Sequence, residues 1–291
     1  MRQPNHRLKQ WLIAFLALLP LAAIWSVSSP MFSGADEPDH LVRAQGFSHF
    51  DFSPPYVTDG IPAGAVGCYR FEPDISASCA GLAWNDSGTI EESRTDNYPP
   101  LLHAISAVPY FFTDGLVATY VVRIWLVVLN TIGVGWAIHL SLRRSEWQFT
   151  GLLLALTPTA VFTMGTVSPT GLAVTGSVLF AVSALNLGGT QQIRRSELLA
   201  MLIGAVMLAT SRRDGALWLV VLLFVIWVRN GRPLPKLSSQ KFKSSRVPHL
   251  GLLLAVALGS LWAVRWLSRF LGQRSEAESA TFARTLRHLN L

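Results

Sequence analysis

Long apolar runs separated by short polar or basic segments dominate the pattern of this chain. The first run extends from Trp11 to Ser29, and about 19 residues give roughly 30 Å of helix, enough for one crossing of a bilayer. A cleaved signal peptide would have a shorter apolar core and a small-x-small cleavage site, so we expect an uncleaved membrane anchor. Pro20 lies inside this run, and we expect it to kink the helix without breaking it.

Six further apolar runs follow, and the basic residues between them set their expected direction, because Lys and Arg favour the cytoplasmic side. The expected spans are 117–142, 147–166, one from the turn at 168–171 to Gln191, 198–210, 216–228 and 250–270. Arg212 and Arg213 break the charge rule. Either the fifth and sixth spans form a re-entrant hairpin, or these arginines lie outside or in a polar cavity.

The pattern therefore predicts an all-α, multi-pass transmembrane helical bundle of about seven spans. Its expected parts are a cytoplasmic N-terminus (1–10), a first transmembrane helix (11–29), an extracytoplasmic loop with interfacial helices (30–116), a transmembrane bundle (117–270) and an extracytoplasmic C-terminal segment (271–291). We expect the chain to lie in a bacterial inner membrane.

Composition agrees with a membrane protein. Hydrophobic residues make up 51% and charged residues 14% of the 291 positions, against about 25% charged residues in globular proteins. The isoelectric point is near 9.9, but the basic residues form short clusters between apolar runs and no single patch. We therefore expect membrane lipids as partners and no nucleic acid. Walker, dinucleotide-binding, HExxH and serine-elbow motifs are absent from the sequence, so soluble-nucleotide chemistry is not indicated.

Both cysteines, Cys68 and Cys79, fall in the loop at 30–116. An oxidising compartment would allow a disulfide between them, and the closed loop would contribute about 2–3 kcal/mol. The alternative is two unpaired thiols. A zinc site is poorly supported because the sequence has no tight Cys-x-x-Cys pair.

An acidic pair, Asp36-Glu37, follows directly after the first apolar run. Carboxylates at a bilayer boundary are costly, so the pair is a candidate for chemistry. It opens a segment expected to form a short polar helix on the outer membrane surface, where Asp36, His40 and Arg43 would share one face. His40 and Arg43 are candidates for substrate binding: His40 would orient a carboxylate or titrate near neutrality, and Arg43 would hold a phosphate oxygen. The structural alternatives are Asp36 as an N-cap and Arg43 paired with Asp39.

Other polar residues are candidates for substrate binding. Tyr98 precedes two prolines that should begin a second interfacial helix over 101–112, and its ring would either stack on a sugar or anchor the chain at the interface. Arg123, Arg212 and Arg213 would hold a phosphate, since guanidinium groups match its oxygens. Snorkelling would explain Arg123 equally well, and a cytoplasmic turn would explain Arg212 and Arg213.

The run DEPDHLVRA at residues 36–44 resembles the opening motif of a bacterial family of multi-pass proteins that is defined as a domain of unknown function and considered GT-C-like. Further similar motifs are Tyr98-Pro99-Pro100-Leu101, Arg123, Asn130, Leu156-Thr157-Pro158 and Ser168-Pro169. The resemblance covers about residues 10–230. Two departures are Thr170, where relatives commonly have an acid, and a span count below that of most GT-C proteins.

GT-C enzymes transfer a sugar from a polyprenyl-phosphate carrier to an acceptor at the outer face. The resemblance implies that Asp36 is the catalytic base and that Glu37 is its partner or, with Asp36, a ligand of Mg²⁺ or Mn²⁺. It implies a polyprenyl-phosphate-linked sugar as the donor and a cell-envelope acceptor. The alternatives are a non-catalytic or truncated membrane subunit and a transporter or flippase. A transporter predicts charges in mid-span, whereas the acids here concentrate in the outer loop.

Overall fold

The computed structural model describes residues 4–53, 56, 68–69, 72, 74–79, 93–95, 97–187 and 194–230. Within these ranges the protein is all-helical and has no strands. The helices are α1 (Pro4–Ser28), α2 (Glu37–Ser48), α3 (Leu101–Ala107) with a 3₁₀ turn (Val108–Phe111), α4 (Gly115–Leu142), α5 (Glu146–Ala155), α6 (Pro158–Met164), α7 (Pro169–Leu187), α8 (Arg195–Ser211) and α9 (Gly215–Asn230).

Three of the described helices are long and apolar enough to cross a membrane: Lys9–Ser28, Gly115–Leu142 and Pro169–Asn186. Two shorter apolar helices lie at Leu101–Phe111 and Gly215–Arg229. The estimate of about seven spans is not confirmed. The span expected at 250–270 and the C-terminal segment expected at 271–291 lie outside the described residues. Helix α1 continues through Pro20, as the sequence predicted.

The single span expected at 147–166 is two short helices, which corrects the sequence interpretation. Helix α5 ends at Ala155 and α6 begins at Pro158. Thr157 between them is extended, at φ −63° and ψ 160°, and its side-chain oxygen accepts a hydrogen bond from the Ala160 amide at 3.2 Å. Proline has no amide hydrogen and disfavours a helical residue before it, so Pro158 interrupts the helix.

Helices α7 and α8 touch backbone to backbone. A Cβ atom on Gly204 would lie 2.5 Å from the Phe180 amide nitrogen, and one on Gly176 would lie 2.7 Å from that of Leu208. Only glycine fits at such a crossing, as is common where membrane helices pack closely. This contact fixes the position of α8 against the bundle.

The two ends of the bundle carry different residues. The end where α1 stops and α4 begins, next to α2, is called the loop end. At the opposite end, called the basic end, Arg144 after α4 pairs with Glu197 in the first turn of α8, with Nη2 3.0 Å from Oε1. Helix α8 therefore runs from the basic end towards the loop end.

Helix α2 is buried, so the expectation of a polar helix on the membrane surface is wrong. Leu41 and Val42 are fully buried in an apolar cluster with Leu102 of α3 and Leu126 of α4. A Cβ atom on Gly46 would lie 2.5 Å from the Tyr56 ring. The apolar pair inside an otherwise polar segment, together with this close contact, buries α2 between the loop and the bundle.

The cysteine pair lies beside this cluster. Cys68 and Cys79 are bonded, with their sulfur atoms 2.08 Å apart, as the sequence analysis expected. Cys68 and Tyr69 pack on the cluster, and the Tyr69 hydroxyl donates to the Met31 carbonyl. The disulfide thus fixes one part of the loop against the end of α1.

Candidate functional site

A buried ion pair joins the start of α2 to α4. Arg123 Nε donates to Glu37 Oε1 at 2.8 Å and Nη2 donates to Oε2 at 2.6 Å, so the contact is bidentate. Both side chains are 0% exposed. Removing either partner would leave a buried charge without compensation, at a cost of about 3–5 kcal/mol.

Arg123 also caps the C-terminal end of α1. Nη1 donates to the carbonyls of Ser26 and Ser29 at 3.0 and 2.9 Å, and Nη2 donates to that of Pro30 at 2.8 Å. These carbonyls have no partner within the helix and carry the negative end of its dipole. A guanidinium has five N–H groups, and all five are used here. Arg123 therefore neither snorkels nor has an N–H left for a substrate phosphate, which corrects its expected role.

Glu37 is equally occupied. Besides Arg123, its carboxylate accepts from the Val167 amide at 3.0 Å and from the Gly34 amide at 3.2 Å. Four N–H donors, two of them cationic, do not suit a magnesium or manganese ligand, which must offer free lone pairs. Within the described part of the chain, no three His, Cys, Asp or Glu side chains form a group able to hold a metal. The donor set does not fit the expected metal site, and the geometry gives Glu37 a structural role.

Asp36 has the opposite environment. It occupies the N-cap position of α2 with φ 55° and ψ 18°, and its side chain makes no capping hydrogen bond. The residue is exposed, and its carboxylate has no hydrogen-bond partner among the described residues. Left-handed residues other than glycine are uncommon, although Asp adopts this conformation more readily than most, and such outliers cluster at functional sites. The capping alternative therefore does not account for Asp36.

His40 is buried and contacts a second histidine that the sequence analysis missed. Its Nδ1 lies 3.1 Å from Nε2 of His103 in α3, and the edge of its ring meets Tyr98 at 5.2 Å between centroids. Burial, with a contribution from Arg43, lowers the pKa of His40 to about 3. Burial also lowers the pKa of His103 well below its usual value. Both imidazoles are therefore neutral near pH 7 and hold α2 against α3.

Arg43 fixes the segment before α3. Its Nη1 donates to the carbonyls of Thr95 and Tyr98 at 2.5 and 3.0 Å, and its guanidinium lies 5.6 Å from the centre of the Phe47 ring. At 6% exposure, Arg43 is a positioning residue for Tyr98. Asp39 supports the same segment, since its Oδ1 accepts from the Arg94 amide at 2.8 Å.

The turn between α8 and α9 lies at the loop end, beside Tyr98. The Arg213 guanidinium is 4.6 Å from the centre of the Tyr98 ring, a cation–π contact. Arg213 Nε is buried and has no hydrogen-bond partner in the described structure. Arg212 donates to Asp214 at 3.0 Å and to the Thr170 hydroxyl at 2.9 Å. The two arginines thus belong with the loop and not with the basic end.

These contacts close a ring around the start of α2. Tyr98 lies against His40 and Arg213, Arg212 bonds to Thr170, and the nearby amide of Val167 bonds to Glu37, next to Asp36. The ring joins segments that are far apart in the sequence and leaves Asp36 exposed at its edge. It brings together six of the predicted residues (Asp36, Glu37, His40, Tyr98, Arg212 and Arg213), while Arg43 and Arg123 hold it from behind.

The family model for predicted membrane proteins designated DUF2142 matches residues 18–290 of the chain. The chain belongs to the DUF2142 family. Among curated proteins and among solved structures, nothing matches it. The family assignment agrees with the apolar helices of the fold and identifies this DUF2142 chain as a membrane protein.

Two further polar residues of this DUF2142 protein, Asn130 and Thr175, connect helices of the bundle below the ring. Asn130 in α4 accepts from the Thr175 hydroxyl at 2.8 Å and donates to the Met164 carbonyl at 3.3 Å, so it connects α4 to α6 and α7.

His103 was missed because a lone histidine in a short apolar helix carries little signal. The nearby Tyr-Pro-Pro motif was the one hint of its position.

Proposed function

We propose that this DUF2142 protein is a GT-C-like glycosyltransferase of the bacterial inner membrane. It transfers a sugar from a polyprenyl-phosphate carrier to a cell-envelope acceptor, with the loop end on the extracytoplasmic side. The observation that carries the proposal is Asp36, an exposed carboxylate in a left-handed conformation that has no hydrogen-bond partner among the described residues and lies next to the buried Glu37–Arg123 pair.

In this proposal Asp36 acts as the general base. It takes the proton from an acceptor hydroxyl while that oxygen forms a bond to the sugar's anomeric carbon. The bond from that carbon to the carrier phosphate breaks, and the phosphate leaves with the lipid. No metal takes part in this scheme, because the oxygens of Glu37 are already occupied.

Arg213 and Tyr98 serve the donor. Charge develops on the phosphate as its bond to the sugar breaks, and a cation fixed nearby stabilises it. Among the described residues Arg213 Nε has no hydrogen-bond partner, and the Tyr98 ring orients the guanidinium, so we assign this group to a phosphate oxygen. Tyr98 also offers an aromatic face of the kind on which sugars stack.

The test compares Asp36→Asn with Asp114→Asn in cells that lack the native protein. Asp114 is a matched control, because it is also exposed at the loop end, at the N-cap position of α4, without a side-chain cap. We expect Asp36→Asn to abolish an envelope glycan that Asp114→Asn retains, at equal membrane protein levels. An unchanged glycan in the Asp36→Asn cells would refute the proposal.

A further inference from the structure

A cavity of about 460 Å³, largely open to the surface, lies between α5, α7, α8 and α9. Its volume falls within the range of about 300–1,000 Å³ found for ligand pockets. The side formed by α7 consists of Ala173, Val174, Ser177 and Val178, and Leu208 of α8 lies behind it. The Ser177 hydroxyl donates to the Ala173 carbonyl at 2.7 Å, so this wall presents no unsatisfied polar group.

The cavity has a local cause in the sequence. Helix α5 ends at Ala155, which lines the cavity, because Pro158 interrupts the chain just beyond it. Ala173 and Ser177 on the opposite wall are too small to fill the gap, and the contact between Gly176 and Gly204 holds α8 in place.

The mouth of the cavity is polar. Arg212 and Asp214 line it, and Arg212 uses only Nε and one Nη1 hydrogen for Asp214 and Thr170. Within the described structure its remaining N–H groups have no hydrogen-bond partner, and its side chain is 37% exposed. Trp218 donates to Asp214 at 2.8 Å, so two donors compensate that carboxylate. With Arg213, the turn carries a net charge of +1.

The cavity is open to the surface beside α5 and α9. Ala155 is exposed, and Trp218, on the far side of the opening, is 52% exposed. Helix α7, which forms the main wall, is one of the three candidate membrane spans. An apolar cavity that opens within the span and ends at a cationic turn matches a molecule with a hydrocarbon chain and an anionic head group.

We propose that this cavity holds the first part of the hydrocarbon chain of a polyprenyl phosphate, with the phosphate at Arg212. This inference rests on the proposed function for the choice among phosphate lipids, since the mouth belongs to the ring of contacts at the edge of which Asp36 lies. The carrier enters sideways from the bilayer between α5 and α9, and its head group is then beside Arg213 and Tyr98.

The experiment uses the full chain in phosphatidylcholine nanodiscs and a polyprenyl phosphate that carries a diazirine near its head group. After irradiation, mass spectrometry locates the labelled peptides. Ser177→Phe fills the cavity from its wall, and Val178→Trp is a second filling variant. Val220→Phe is the matched control, because Val220 is 61% exposed on α9 and does not line the cavity.

We expect the label on the peptides that contain 173–178 and 218, and at least a fivefold loss in both filling variants, with Val220→Phe unchanged. Arg212→Gln should reduce labelling roughly tenfold, the loss of about one charge-assisted hydrogen bond. Labelling that is equal in the filling variants and the control would overturn the proposal. So would equal labelling by a neutral polyprenol probe.

Competition identifies the source of the phosphate. Unlabelled polyprenyl phosphate should displace the probe, whereas phosphatidylglycerol and inorganic phosphate should not. Displacement by either of the latter would contradict the assignment to the carrier. Binding requires no turnover, so Asp36→Asn should label like the wild type. If labelling holds but Asp36→Asn leaves the glycan intact, the proposed function fails alone; if the glycan is lost but the cavity is unlabelled, this inference fails alone.

Discussion

At the scale of single residues, the adjacent carboxylates Asp36 and Glu37 have opposite environments, and we propose a chemical role for Asp36 only. Glu37 is 0% exposed and accepts four N–H groups, two of them from Arg123. Asp36 is exposed and held at φ 55°. An unfavourable backbone conformation persists only where its surroundings determine it, and the anchored Glu37 supplies such surroundings. The proposed base is therefore preorganised by its neighbour.

The two buried histidines predict how stability depends on pH. The folded-state pKa of His40, about 3, lies below its value of about 6.5 in the unfolded chain, and that of His103 is lowered too. The unfolded state therefore binds more protons in this window, and stability present above about pH 6.5 is lost as the pH falls towards 3. In this window each imidazole lowers the free energy of unfolding by up to about 1.4 kcal/mol for every unit by which the pH falls.

The measurement is the free energy of unfolding in mixed micelles between pH 7.5 and 5. His40→Gln should roughly halve the slope of this free energy with pH. Phe112→Gln, an 83% exposed control that removes no titratable group, should leave the slope unchanged. Equal slopes in all three proteins would mean that the buried pair does not titrate as described.

At the scale of elements, one contact fixes the relative positions of α1, α2, α4 and the turn before α7. Arg123 binds the last carbonyls of α1 and the first residue of α2, and Glu37 binds the Val167 amide. A short helix of 12 residues such as α2 has little stability alone. Its place therefore depends on this pair and on the burial of Leu41 and Val42.

A double-mutant cycle tests this coupling. Glu37→Ala and Arg123→Ala should each lower the free energy of unfolding by about 3–5 kcal/mol, since each leaves a buried charge unpaired. The double variant should lose clearly less than the sum, because neither charge then remains. Additive losses would contradict the pairing.

Local features were predicted from the sequence more accurately than these long-range contacts were. Prolines at 38 and 99–100 correctly predicted where α2 and α3 begin, because proline favours the first turn of a helix. The partnership of Glu37 with Arg123 spans 86 positions, and no periodic pattern encodes such a distance. The burial of α2 was missed because its charged residues suggested a surface, whereas Arg123 and backbone groups within the fold satisfy them.

At the scale of the whole molecule, the loop end and the basic end carry different kinds of residue. The loop end carries the disulfide and the ring around Asp36, and the basic end carries Arg143, Arg144, Arg194 and Arg195. Basic residues favour the cytoplasmic side, and a disulfide favours an oxidising one. Both features agree with the proposed orientation, in which the loop end is extracytoplasmic.

Thiol labelling in intact cells tests this orientation. The two native cysteines are bonded to each other, so Asp114→Cys and Glu146→Cys each add one exposed thiol, at the loop end and the basic end respectively. A membrane-impermeant maleimide should label Asp114→Cys in intact cells and Glu146→Cys only after lysis. The reverse pattern would invert the proposed topology.

The central claim is that Asp36 serves chemistry at the expense of its own backbone conformation. Glycine is comfortable at positive φ, so Asp36→Gly should leave the free energy of unfolding unchanged or raise it by up to about 1 kcal/mol. The decisive measurement is the envelope glycan made by Asp36→Gly cells at wild-type protein levels. We expect this glycan to be absent although the protein is at least as stable, and a glycan made at the wild-type level would contradict the proposed role of Asp36.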